Sequence, residues 1–126
     1  MKIATLIARI LLGLLFLVFG LNGFLHFIPM QPPTGLAGQY MGALFLSHYL
    51  VVVFVLEAVG GLLLLINRYV PLALVLLGPV IVNIVLFHAC LAPAGLPIAL
   101  FAVTLWLVVF AGVRGAFAGL LVQKTA

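Results

Sequence analysis

From Ile3 onward the chain falls into apolar runs of about twenty residues or more, and the intervals between them, 28–47, 67–71 and 91–95, all carry proline. A run of that length with almost no charge is a candidate membrane span. Only 5% of the residues are charged against 68% hydrophobic, with a mean hydropathy of +1.56, so the chain cannot cover a globule with polar surface. Backbone polar groups in lipid must be satisfied internally, and no strand-like alternation appears, so the spans are expected to be helices. The reading is all-α: an integral membrane four-helix bundle forming a single domain over residues 1–126, with spans at about 3–27, 48–66, 72–90 and 96–116. The first run is about 25 residues, nearer a spanning helix than the ~7 to 15 apolar residues of a secretory signal.

Between the first two spans stand Pro29, Pro32, Pro33 and Thr34, followed by Leu36, Tyr40 and Leu44 at one-turn spacing. A stop, a cap and a short helix follow. Uncharged and too short to cross, this helix is expected to be interfacial, in the first external loop, with a hydrophobic loop as the alternative. Asn67-Arg68-Tyr69-Val70-Pro71 and Leu91-Ala-Pro-Ala-Gly95 are the other two turns. The five cations, Lys2, Arg9, Arg68, Arg114 and Lys124, belong to the amino terminus, the second turn and the carboxyl tail. By the positive-inside rule both termini and the Arg68 turn are cytoplasmic. So sparse a scatter signals topology rather than nucleic-acid binding, and the single cysteine, Cys90, excludes an internal disulfide.

Glu57 is the sole acidic residue and falls near the middle of the second span, followed by Gly60 and Gly61. An ionisable group at that depth costs roughly 2.5 to 3.5 kcal/mol and normally has a partner. Arg9, about 9 Å nearer the cytoplasm, is the candidate, giving a structural Arg9–Glu57 ion pair. The alternative is an Arg9 that snorkels to headgroups beside a protonated Glu57. Arg9, Gly13, Phe16, Gly20 and Gly23 recur at spacings of four and three, the seam on which another helix packs.

Toward the external side, Asn22, His26, His48 and His88 converge in depth, with Cys90 just beyond. Neutral imidazole ligates metals and bonds carbonyls. No two histidines share one-turn ligand spacing, so no metal is expected. Asn22, His26, Asn83 and His88, with Trp106 from the fourth span, form the candidate ligand pocket. Ordinary interfacial histidines and a packed tryptophan are the alternatives. Thr104 can bond its own helix backbone.

Arg9-Ile-Leu-Leu-Gly-Leu-Leu-Phe-Leu-Val-Phe-Gly20, Glu57-Ala-Val-Gly-Gly-Leu-Leu-Leu-Leu and Pro79-Val-Ile-Val-Asn83-Ile-Val-Leu-Phe-His88, in that order and spacing, resemble the DoxX-like family of small four-span membrane proteins. The resemblance implies a four-helix bundle in a bacterial-type plasma membrane, with Arg9, Glu57 and Asn83 at the family's recurring polar positions. It also implies membrane redox work, including electron transfer from sulfur compounds to quinone. The chain has no CxxC pair, haem-attachment motif or nucleotide-binding loop, and no self-contained catalytic motif. A quinone is thus the possible cofactor, encoded by no motif. The expected function is a redox-associated membrane subunit holding a quinone-like or lipid-like molecule near the outer face. A structural or assembly accessory packed on a larger membrane complex is the alternative, with a transporter or channel behind it. Expected partners are membrane lipids and other membrane subunits or further copies of the chain; nucleic acid is excluded.

Overall fold

The computed structural model describes residues 2–125, and these fold as helices with no strand among them. In chain order they are α1 (Lys2–Leu25), α2 (Gly35–Leu46), α3 (Tyr49–Leu65), α4 (Val70–Cys90) and α5 (Leu96–Val113). Short 3-10 turns at Pro93–Gly95 and Arg114–Leu121 flank α5. By length and composition three segments can each cross a membrane: α1, α4 and the stretch Pro93–Leu121 that contains α5. A fourth is reached when α2 and α3 count as one unit, bent by 86°. The 17 residues of α3 are about 26 Å long, a little under a hydrocarbon core of about 30 Å.

The helices pack in a ring, α1 on α3, α3 on α4, α4 on α5 and α5 back on α1, which leaves α1 and α4 diagonal. Short turns make α3 and α4, and α4 and α5, antiparallel; α1 and α3, joined through α2, are antiparallel too, since Gly13 meets Gly61 while Gly20 meets Ala58. The interior is aliphatic: Leu12, Leu64, Leu74, Leu77 and Val109 are fully buried. The outside is apolar as well, with Ile7, Leu14, Val52, Leu62, Val82 and Phe101 exposed along the shafts. A continuous apolar exterior of this kind suits lipid rather than water.

The closest approach is between α1 and α3, and glycines permit it. A Cβ built on Gly20 would lie 2.6 Å from the backbone nitrogen of Ala58 and 3.0 Å from the Phe54 carbonyl oxygen. One built on Gly61 would lie 2.7 Å from the Gly13 carbonyl oxygen. Gly23 carries the ring of Phe54 in the space a side chain would need. The seam expected along α1 is therefore internal to the bundle, and α3 occupies it.

The ends of the helices follow local chemistry. His26 takes a positive φ and stops α1 at Leu25, two residues before the expected boundary. Asn67, also at positive φ, ends α3: its N–H donates to the Leu64 carbonyl while Arg68 N–H reaches the Leu63 carbonyl. That pair of bonds is the Schellman arrangement, with asparagine in the position usually given to glycine. Pro71 lies in the first turn of α4, where its missing N–H costs nothing, so α4 starts at Val70. Thr34 stands at the N-cap of α2, as expected, but its backbone carbonyl, not its hydroxyl, receives the Gly38 N–H at 3.2 Å. Lys2, Arg68 and Arg114 consequently share one end of the bundle, and α2, Cys90 and the Pro93–Gly95 turn share the other. These are the charged and the uncharged ends.

Candidate functional site

Arg9 does not pair with Glu57. Its guanidinium donates to the carbonyl oxygens of Leu64 and, at 3.4 Å, Leu65, in the last turn of α3 and about two turns from Glu57. The physical reason is the helix end. The last carbonyls of a helix lack intrahelical donors and carry the negative end of its dipole, so a cation there is bonded and favoured at once. Glu57 is 6% exposed and sits on the inner face of α3 with Leu50, Gly60, Gly61 and Leu64. It is held inside the bundle without that cation.

The expected pocket of Asn22, His26, Asn83, His88 and Trp106 is dispersed. Asn22 is 7% exposed and fixes the loop after α1: its Oδ1 accepts the Ile28 N–H at 2.7 Å, and its Nδ2 lies 3.6 Å from the Met30 sulfur. His26 and His48 are exposed turn residues in the left-handed region. His88, in the last turn of α4, braces the turn to α5. Its Nδ1 is 3.1 Å from the Ala92 carbonyl oxygen, and its imidazole lies where a side chain on residue 95 would stand, so that residue is glycine. Asn22 is turned to the loop after α1 and Asn83 is exposed on the outside of α4, so the two line no common cavity. Among the described residues no group of three or more His, Cys, Asp or Glu side chains is placed to hold a metal.

Trp106 has a partner that its position explains. Its indole N–H donates to the Leu74 carbonyl oxygen at 3.0 Å, and Gly78 leaves room for the ring, with Cζ2 3.8 Å from where a Cβ would be. Pro79 follows directly, but the carbonyl its missing N–H leaves without a helical donor is that of Val75, four residues earlier, so at Leu74 the indole is an added donor. Phe110 stacks on the indole at 5.4 Å and 6°. Thr104 bonds the Leu100 carbonyl of its own helix at 2.9 Å.

Two concavities run along α4. The first, about 410 Å³, lies between α4 and α5 and is lined by Gly78, Ile81, Val85, Val103, Leu107 and the Trp106 ring, among others. The second, about 340 Å³, lies toward the uncharged end and is lined by Tyr40, Asn83, Leu86, Phe87, Cys90 and Leu91. Leu86 lines both. Asn83 is exposed on α4 and donates to the Pro79 carbonyl at 2.9 Å, which leaves its Oδ1 free for another partner. Tyr40 reaches across from α2, its ring 5.8 Å from that of Phe87. Of the expected pocket residues, Asn83 and Trp106 line these concavities. Tyr40 and Leu86 were not singled out from sequence; the one-turn spacing of Leu36, Tyr40 and Leu44 marked the helix but not which of its faces meets α4.

No family model, no curated protein and no solved structure matches this chain.

Proposed function

We propose that this chain is a small integral membrane protein of the DoxX-like type, a redox-associated subunit that holds a quinone-like or lipid-like amphiphile at its uncharged end. The observation that carries the reading is the α4 face: one concavity offers Asn83, Tyr40 and Cys90 at the end of the bundle, and an apolar one adjoins it through Leu86 deeper along the helix. That order, hydrogen-bonding groups near the rim and aliphatic walls beneath, matches a molecule with a polar head and a chain lying in a leaflet. The redox assignment is supported by the sequence resemblance alone. The bundle lies in the plasma (inner) membrane with the cations, both termini and the Arg68 turn on the cytoplasmic side, by the positive-inside rule. A reporter fused to the carboxyl terminus is expected to be active in the cytoplasm; activity restricted to the outer face overturns this orientation.

The function is tested by extracting the protein in mild detergent with its native lipids, then recording an absorption spectrum and an intact mass. A stoichiometric quinone or other amphiphile is the expected result. A colourless protein carrying bulk lipid alone refutes the reading, and if it stays bound to larger subunits its role becomes that of an accessory. The glycines of α1 give that alternative little support, because α3 already covers them.

A further inference from the structure

We propose that the α4 groove selects an amphiphile with an uncharged, hydrogen-bonding head and a single chain. This rests on the reading of the groove as a binding site and narrows it to a class of ligand.

The head is constrained by charge. The six residues around the rim concavity include a phenol, a carboxamide and a thiol but no charged side chain. Lys2, Arg68 and Arg114 lie at the opposite end, and the Arg9 guanidinium is engaged by the Leu64 and Leu65 carbonyls. His88, the nearest histidine on α4, is turned to the Ala92 carbonyl. An anionic head would find no cation at this rim, so nothing there favours it over an uncharged one. A carbonyl or hydroxyl head fits instead. Asn83 has a free Oδ1 and a second amide hydrogen beyond the bond to Pro79, and the Tyr40 hydroxyl can donate or accept.

The chain is constrained by the deeper concavity. Its one polar lining atom of note, the Trp106 indole nitrogen, already donates to Leu74, so the ring presents only its apolar surface. A volume of about 410 Å³ lies near the lower end of the ~300 to 1,000 Å³ found for small-molecule sites, so the groove seats one chain, and a second chain on the same lipid is left outside it without contributing.

Trp106 is the only tryptophan and lines the deeper concavity, so its fluorescence reports occupancy directly. The full chain is reconstituted in phosphatidylcholine vesicles and titrated with three brominated quenchers: a dibromostearoyl monoglyceride, a dibromostearoyl lysophosphatidylglycerol and a phosphatidylcholine with two dibromostearoyl chains. The monoglyceride is expected to quench saturably, at a mole fraction several-fold below that needed for the other two. Asn83→Leu, at an exposed position where the change disturbs no packing, is expected to raise that half-saturation point about threefold to tenfold, the worth of one hydrogen bond. Saturation by the anionic or two-chain probe at an equal or lower mole fraction overturns the ligand class while leaving the site standing. An unchanged monoglyceride curve in Asn83→Leu overturns the assignment of the head to Asn83. Linear, indistinguishable quenching by all three overturns the site itself, and with it the function proposed above.

Discussion

Adding one methyl group to Gly20 should separate the two helices that hold the bundle most closely. The new carbon would stand 2.6 Å from the Ala58 backbone nitrogen, where ordinary contact requires about 3.5 Å, so α1 and α3 must move apart locally by about 0.9 Å. The obstructing atoms are backbone and cannot rotate away. A gap approaching 1 Å forfeits up to about half of each affected dispersion contact, and overpacking of this sort costs about 1–3 kcal/mol. Alanine returns about 1 kcal/mol through its better helix propensity, leaving a net loss of about 0–2 kcal/mol for Gly20→Ala. Gly78→Ala is the internal comparison, because its Cβ would meet only Trp106 Cζ2 at 3.8 Å, an ordinary contact. It should be neutral or stabilising by up to about 1 kcal/mol. Both variants are unfolded by a sodium dodecyl sulfate titration in mixed micelles, followed by far-ultraviolet circular dichroism. Equal midpoints for the two variants would refute the claim that the α1–α3 seam is a backbone-to-backbone contact.

Three further outcomes follow from the geometry. In a double-mutant cycle of Arg9→Leu and Glu57→Gln, the coupling measured by the same titration should stay below about 0.5 kcal/mol, while Arg9→Leu alone loses about 1.5–3 kcal/mol. A coupling above about 1 kcal/mol would restore the ion pair. Trp106→Phe leaves the Leu74 carbonyl without its indole donor and should lose about 1–2 kcal/mol by circular dichroism; a variant as stable as the parent would show that the bond contributes nothing. Gly95→Ala should be destabilising in the parent and nearly neutral in a His88→Ala background, since the imidazole is what the added methyl meets. Equal penalties in both backgrounds would remove His88 from the α4–α5 turn.

The places where sequence and structure part company share a cause. The Arg9–Glu57 pair was the natural match for two charges within one apolar chain, yet Arg9 found backbone carbonyls at the end of α3. Carbonyl acceptors exist at every residue and leave no mark in a sequence, so a search among side chains passes over them. The histidine and asparagine cluster rests on depth and on the one-turn spacing of Asn22 with His26, and neither says how the faces of different helices are turned toward one another. In the fold Asn22 and His88 each serve the loop next to them and Asn83 looks outward. The place of Tyr40 beside Asn83 depends on α2 turning by 86° against α3, which its one-turn spacing with Leu36 and Leu44 does not encode.

By itself the sequence determined the helical class, the approximate limits of the four long helices, the short helix after the proline cluster and the glycine face of α1. Each of these is written in local or periodic terms: run length, breaker residues, and small residues at spacings of three and four. Only the tertiary structure decided that α3 fills the glycine seam, that Arg9 caps α3, that Trp106 bonds α4 beside Pro79, and that Tyr40 and Asn83 share a rim. Those outcomes depend on the order of helices around the ring and on the rotation of each about its axis. In a chain apolar on every face, hydrophobicity points in no direction, so packing of small residues and a few hydrogen bonds must set both.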